Sequence, residues 1–114
     1  LEGSDPFTIL CRLTADMRKP FFGADAGLYA NDFEATAGKT SAATFSATPA
    51  SNWYSALLNA AGRGYVNKTG TTQFRLRFAT DDNNDNSADY MKFFSGNYAT
   101  ASFRPTLVIE YYIP

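Results

Sequence analysis

The residues best suited to chemistry in this chain lie in an oxygen-rich stretch that follows an alternating apolar segment. Asp81, Asn83, Asp85 and Asp89 occupy positions one, three, five and nine of that stretch. Ca²⁺ takes about six to eight oxygen ligands, and alternating side chains of a tight loop can converge on one ion. The spacing therefore predicts a structural calcium site. The alternative is a solvated turn in which Asp and Asn side chains cap backbone N–H groups.

The same stretch does not match an EF-hand. Asn86 stands where an EF-hand loop has Gly, and Lys92 stands where its closing Glu would bind the ion. A further alternative uses two of the carboxylates as the acid–base pair of a glycosidase, which requires a cleft and one raised pKa. A loop this rich in polar side chains is expected to be solvated, which disfavours such a pair.

Composition excludes several kinds of catalytic site. The chain has 114 residues and no His, and Cys11 is its single cysteine. Ser–His and Cys–His nucleophile pairs and His-ligated metals are therefore excluded. A net charge of −1 without a basic run gives no attraction to nucleic acid or anionic lipid, and no apolar run approaches the ~20 residues of a membrane span. We expect no nucleic acid partner and no membrane insertion, and an enzyme without His would need a carboxylate pair or a metal.

The segment before the acidic stretch has the period of two that is typical of a strand with one buried and one wet face. Its two sets of side chains are Phe74, Leu76 and Phe78 on one side and Gln73, Arg75 and Arg77 on the other. The first set is predicted to be buried and the second to be at least partly exposed.

Further strands are expected on either side of this one. The alternating or apolar segments that predict them are residues 7–18, 41–46, 53–58, 89–95 and 106–113. Cys11 falls on the apolar side of the first, where we expect a small buried hydrophobe; an interchain disulfide or a reactive thiol is the alternative. About six short strands with turn signals and little helix predict an all-β fold, an antiparallel jelly-roll-like sandwich. The length fits one domain, residues 1–114, with 1–6 as a linker or loop remnant.

Outward-facing aromatic and charged side chains of such a sandwich suit a polar ligand such as a carbohydrate, because sugar rings stack on aromatic planes. The candidate ligand-binding residues are Tyr54, Arg75, Arg77, Tyr98 and Tyr112. Alternation allows only one of the adjacent Trp53 and Tyr54 to face outward, and we expect Trp53 in the core. The two arginines are either a ligand platform, with Glu110 or Lys92 from neighbouring strands, or an ordinary solvated face.

The chain resembles the DNRLRE-domain type of secreted β-sandwich module, which is related to disaggregatase-repeat and carbohydrate-binding modules. The resemblance lies in four segments: LTADMRKPFFG, NWYSALLNAAGRGYVN, TGTTQFRLRFATDDNNDNSADYMKFFSGN and RPTLVIEYYIP. Its most specific parts are the closing RP-x-L-x-I-x-Y and the preceding DY-x-x-F-x-SG. It implies a non-catalytic, jelly-roll-like module, extracellular or at the cell surface, that binds carbohydrate in some members.

The resemblance has one departure, at the start of the chain. Modules of this type begin with several strands upstream of the segment that matches residues 7–18, whereas this chain starts at Leu1. The chain is then a fragment, or another chain donates the missing strands, or a shortened variant closes its own sheets. The leading expectation is a carbohydrate-binding, adhesive or spacer unit of a larger secreted protein. The alternative is a structural subunit of a surface fibre completed by strand exchange, in which the strand at 7–18 or at 106–113 has an edge covered by another chain.

Overall fold

One small antiparallel sheet organises the chain, for which a computed structural model describes residues 6–80, 83–86 and 89–113. The elements in chain order are α1 (Pro6–Ile9), β1 (Leu13–Arg18), a 3-10 turn (Ala30–Phe33), β2 (Lys39–Thr44), α2 (Ala60–Tyr65), β3 (Gln73–Phe78) and a second 3-10 turn (Ala101–Phe103). The sheet order is β2–β1–β3, and β1 is antiparallel to both neighbours. β1 is therefore the central strand, with a hydrogen-bonded neighbour on each side.

The expected six-strand jelly-roll sandwich is wrong for the described residues, which contain three strands in one sheet. No strand forms at residues 53–58, 89–95 and 106–113, where the sequence predicts three. Alternating apolar residues favour a pleated surface, but a strand forms only where a partner supplies the ladder of hydrogen bonds. In the described ranges none of these segments joins the sheet, and Trp53 forms only an isolated bridge with Ala50.

The single long strand expected at 7–18 is also wrong. Residues Pro6–Ile9 form a helical turn, which the bond from Leu10 N to Pro6 O (2.7 Å) closes. Cys11 then adopts a φ of 66°, in the left-handed region, and β1 begins only at Leu13. This change of direction takes Cys11 out of the alternation, so its side chain is exposed rather than buried. Its sulfur accepts a 3.6 Å hydrogen bond from Thr80 Oγ1.

The two faces of the β1–β3 ladder differ in chemistry. Residues directly opposite one another share a face. The apolar face carries the pairs Leu13–Phe78, Ala15–Leu76 and Met17–Phe74, and the arginine face carries Thr14–Arg77, Asp16–Arg75 and Arg18–Gln73. Every β1 side chain from Leu13 to Met17 is buried. The core of the molecule is therefore centred on β1, with a carboxylate inside it.

The burial predicted for β3 is wrong, because its arginine side is covered more completely than its apolar side. Phe74 is 39% exposed and Leu76 is 40% exposed, whereas the Arg75 side chain is only 13% exposed. The irregular segment before β2 lies over the arginine face, where the buried ring of Phe22 packs 4.5 Å from the Arg75 guanidinium carbon. Phe78 is half-buried and packs edge-on against Phe7.

Candidate functional site

A buried carboxylate ties the three strands together. Asp16, on β1, has a fully buried side chain whose Oδ2 accepts hydrogen bonds from Arg75 Nη2 (2.8 Å) and Arg77 Nε (2.7 Å). Its Oδ1 accepts a 2.8 Å bond from the backbone N–H of Ser41 on β2. Both oxygens are thus used inside the sheet, which is what allows an ionised carboxylate to stay away from water.

A local irregularity of β2 brings Ser41 to Asp16. The β1–β2 register jumps between Ala15–Ala43 and Met17–Lys39, so that β2 has extra residues at this point. Ser41 takes a φ of 50° within the bulge. A bulge redirects the backbone groups of its strand, and here it points one N–H at the carboxylate instead of into the ladder.

The balance of forces on Asp16 favours its charged form. Burial by itself raises the pKa of this carboxyl group, but the hydrogen bonds from Arg77, from Ser41 N and from Arg75 outweigh burial, so that the pKa lies below its ordinary value. A general acid needs a raised pKa to hold a proton near neutral pH. The arrangement therefore suits a structural ion pair better than proton transfer.

Arg75 also fastens the irregular segment to the sheet. Its Nη1 donates to three backbone oxygens, those of Asp32 (2.9 Å), Phe33 (3.1 Å) and Ala35 (2.7 Å). Its Nε is buried without a hydrogen-bond partner, while Nη2 binds Asp16. The predicted ligand-binding role of Arg75 would require it to exchange these intrachain bonds for a ligand.

The conservative change Arg75→Lys is expected to cost more stability than Arg77→Lys. A lysine ammonium cannot reproduce a planar fork that reaches a carboxylate and three carbonyl oxygens, so we expect a loss on the order of 2 kcal/mol at position 75. The Arg77 side chain is 39% exposed and gives Asp16 one of its three bonds, so its loss is expected to be smaller. Urea unfolding of the two variants measures the difference; equal losses would contradict it.

Alternation across residues 7–18 puts Asp16 opposite the apolar side, on the polar face of a strand, and gives no sign of this ion pair. The signal that could have revealed it is a lone carboxylate between Ala15 and Met17 in an apolar strand, together with two arginines at alternate positions of another strand. Opposite charges at such positions are the pattern of a cross-strand ion pair. Asp16 brings Arg75 and Arg77 together, and a ligand-binding role for the two arginines stays a prediction.

The aromatic members of the predicted ligand site are not joined to the arginines by any contact among the described residues. Tyr54 is half-buried and stacks on Phe7 at 5.5 Å, and the adjacent Trp53 is 43% exposed, which reverses the expected order of burial. Tyr98 packs with Phe94 at 4.4 Å, and Tyr112 is 99% exposed. The ring contacts of Tyr54 and Tyr98 are with different neighbours, and carbohydrate binding by these residues stays a prediction.

The acidic loop is described only in part, because Asp81 lies outside the described residues. Asp85 N donates to Asn83 Oδ1 (3.3 Å) and Asn83 Nδ2 donates to Asp85 Oδ2 (3.1 Å), as in a turn capped by its own side chains. Residues 6–80, 83–86 and 89–113 contain no group of three or more His, Cys, Asp or Glu side chains that could hold a metal. Calcium binding by the Asp81, Asn83, Asp85 and Asp89 set stays a prediction.

The outer edge of β3, on the side away from β1, is not paired with another strand in the described part of the chain. Ala79 N donates to Arg12 O (2.9 Å), and Thr14 Oγ1 reaches Arg77 O, so the odd-numbered residues of β3 turn their backbone groups toward β1. The N–H and C=O groups of Phe74, Leu76 and Phe78 consequently point away from the sheet. Within the described ranges they meet no backbone partner.

A cleft and an unpaired segment accompany this edge. The cleft has a volume of about 280 Å³, and its lining includes Leu28, Phe33, Phe74 and Leu76. The segment at 106–113, predicted as the last strand, belongs to no helix or strand and shows apolar side chains to water. Their exposed fractions are 58% for Leu107, 79% for Val108, 62% for Ile109, 77% for Tyr111 and 84% for Ile113.

The resemblance to DNRLRE-type modules rests on the four sequence segments and stays a prediction, because comparison with known proteins neither supports nor contradicts it. No helix among the described residues has the length and apolar character needed to cross a membrane. A scan against protein-family models, a search of curated proteins and a search of solved structures return no match to this chain.

Proposed function

We propose that this chain is a non-catalytic structural module that works by assembly, with the outer edge of β3 taking up a strand from another chain. The observation that carries the proposal is the set of outward backbone groups at Phe74, Leu76 and Phe78, which lie beside half-exposed apolar side chains. An open edge with an uncovered apolar side is a template for strand addition, because main-chain hydrogen bonds and side-chain burial are gained together.

The chemistry of the buried network supports a structural role over a catalytic one. Asp16 has both oxygens occupied and a lowered pKa, and Arg75 holds backbone carbonyls. These bonds make β3 a firm platform, since they anchor its arginine face to the central strand. A rigid edge has less disorder to lose when a strand binds to it.

Carbohydrate binding, the leading expectation from the sequence, has less support than assembly. Its predicted residues divide between the Asp16 network and separate aromatic contacts, as for Tyr54 on Phe7. The placement of the module in a secreted or cell-surface protein rests on the DNRLRE resemblance alone. A surface protein built from such units would gain mechanical continuity from strands shared between chains.

Sedimentation velocity over a range of concentrations tests the proposal. The chain is expected to associate in a concentration-dependent way, and Leu76→Lys is expected to weaken association at least about tenfold, because a charge on the edge strand opposes burial. Leu57→Lys is the matched control, since Leu57 is 91% exposed and lies outside β3. A chain that stays monomeric at every concentration, or equal effects of both variants, would overturn the proposal.

A further inference from the structure

We infer that the strand received at β3 is residues 106–113 of a second copy of this chain. The inference rests on the proposed function and names the partner for the same edge. Its starting observation is that each copy has an open strand edge at β3 and a segment, residues 106–113, with strand-like alternation that pairs with no described residue. Each of two copies can therefore pair its segment 106–113 with the β3 edge of the other copy.

The faces of the two partners match when the segment is laid along β3. In the segment, Leu107, Ile109, Tyr111 and Ile113 fall on one side, and Thr106, Val108, Glu110 and Tyr112 fall on the other. Directly opposite residues share a face, so pairing the first set with Phe74, Leu76 and Phe78 continues the apolar face of the sheet. This brings the half-exposed side chains of β3 and the exposed ones of the segment into cross-strand contact.

The same alignment brings opposite charges together. Once Ile109 and its neighbours lie on the apolar face, Glu110 necessarily lies on the arginine face, whichever direction the added strand runs. Arg77 is 39% exposed there and uses only its Nε on Asp16. Glu110 is exposed and takes part in no ion pair within the described part of the chain. The slipped register, shifted by one residue, would instead place the glutamate against Phe74 and Leu76.

In this conformation the segment pairs with no described residue of its own copy, and Ile109 and Tyr111 are 62% and 77% exposed. A contiguous run of exposed apolar side chains marks an interaction site. Reciprocal exchange between two copies, or head-to-tail exchange along a chain of copies, buries every such segment except those at the ends of an open array.

Disulfide trapping in the full chain tests the inference. All variants carry Cys11→Ser, so that the introduced thiol is the only one. Chains with Leu76→Cys are mixed in turn with chains carrying Leu107→Cys, Ile109→Cys or Tyr111→Cys. Each mixture is oxidised mildly, and tryptic digestion identifies the linked peptides by mass. A disulfide requires Cα atoms about 4.4–6.8 Å apart, so a linked pair reports strand pairing directly.

The expected result is a 76–109 disulfide between copies, or a 76–107 or 76–111 disulfide if the register is shifted by two. Val108→Cys is the matched control: Val108 is more exposed (79%) than Ile109 (62%) but lies on the opposite face, so its disulfide yield is expected to be at least about tenfold lower. A concentrated chain that associates but links equally at 108 and 109 would overturn the choice of partner while leaving assembly intact. A chain that does not associate would overturn the proposed function and the choice of partner together. A disulfide that forms within one dilute chain carrying both cysteines would assign the strand to the same copy.

Charge reversal supplies a second, independent readout. Glu110→Lys is expected to weaken association about tenfold, since it sets a cation against Arg75 and Arg77. Glu34→Lys is the control, because Glu34 is also an exposed glutamate but lies outside both partners. Equal association constants for the two variants would contradict the alignment that places Glu110 on the arginine face.

Discussion

Replacing Asp16 by Asn is expected to lower the free energy of unfolding by about 3 kcal/mol or more, the range for breaking a buried ion pair from one side. The amide keeps the shape of the carboxylate but leaves Arg75, whose side chain is only 13% exposed, without an anion. Thermal and urea unfolding measure the loss. The control Glu34→Gln, at an exposed carboxylate, is expected to change stability by less than about 0.5 kcal/mol.

The same variant has a characteristic dependence on pH. The pKa of Asp16 is lowered in the folded state, whereas the unfolded carboxyl group titrates near the usual value of about 3.9. The unfolded state therefore binds more protons as the pH falls, and the stability due to Asp16 is fully present above about pH 5 and lost as the pH drops through the folded pKa. The stability curve of the unmodified chain should fall toward that of Asp16→Asn in acid. Parallel curves down to pH 2 would contradict this assignment.

Leu13→Ala is expected to cost about 2–5 kcal/mol, because Leu13 is 2% exposed on the central strand. Leu76→Ala, the same substitution on the neighbouring strand, is expected to cost about 1 kcal/mol or less in the dilute chain, where Leu76 is 40% exposed. The alternation of β3 alone would predict a core-sized loss at Leu76. Equal losses at the two positions in dilute solution would show that another part of the chain covers the apolar side of β3.

Local pattern predicted the existence of β3 but not which of its sides is covered. Phe74 and Leu76 do share a face, as alternation requires. Their burial, however, depends on what lies over that face, and the decisive contact on the other side joins Arg75 to Asp16, fifty-nine residues apart in the chain. The period of a single strand carries no information about such a partner, so alternation predicts a solvated Arg75 where the structure has one bound to a buried anion.

Two further differences between the expected strands and the observed ones have similar causes. The alternation across residues 7–18 is interrupted because Cys11 takes a left-handed φ of 66°, which apolar spacing does not predict. The segment at 106–113 has the alternation of a strand without a partner in the described chain. Alternation indicates what a segment can pair with; the pairing itself is a property of the assembled sheet.

Amide hydrogen exchange at β3 tests the central claim most directly. The N–H groups of Arg75 and Arg77 point into the ladder with β1 and are expected to be protected at every protein concentration. The N–H groups of Phe74 and Leu76 point outward, so they should exchange freely in the dilute chain and become protected as the concentration rises. Such concentration-dependent protection, confined to the outward pair, is the predicted result. Fast exchange at Phe74 and Leu76 at all concentrations would contradict the proposal that another chain completes this sheet.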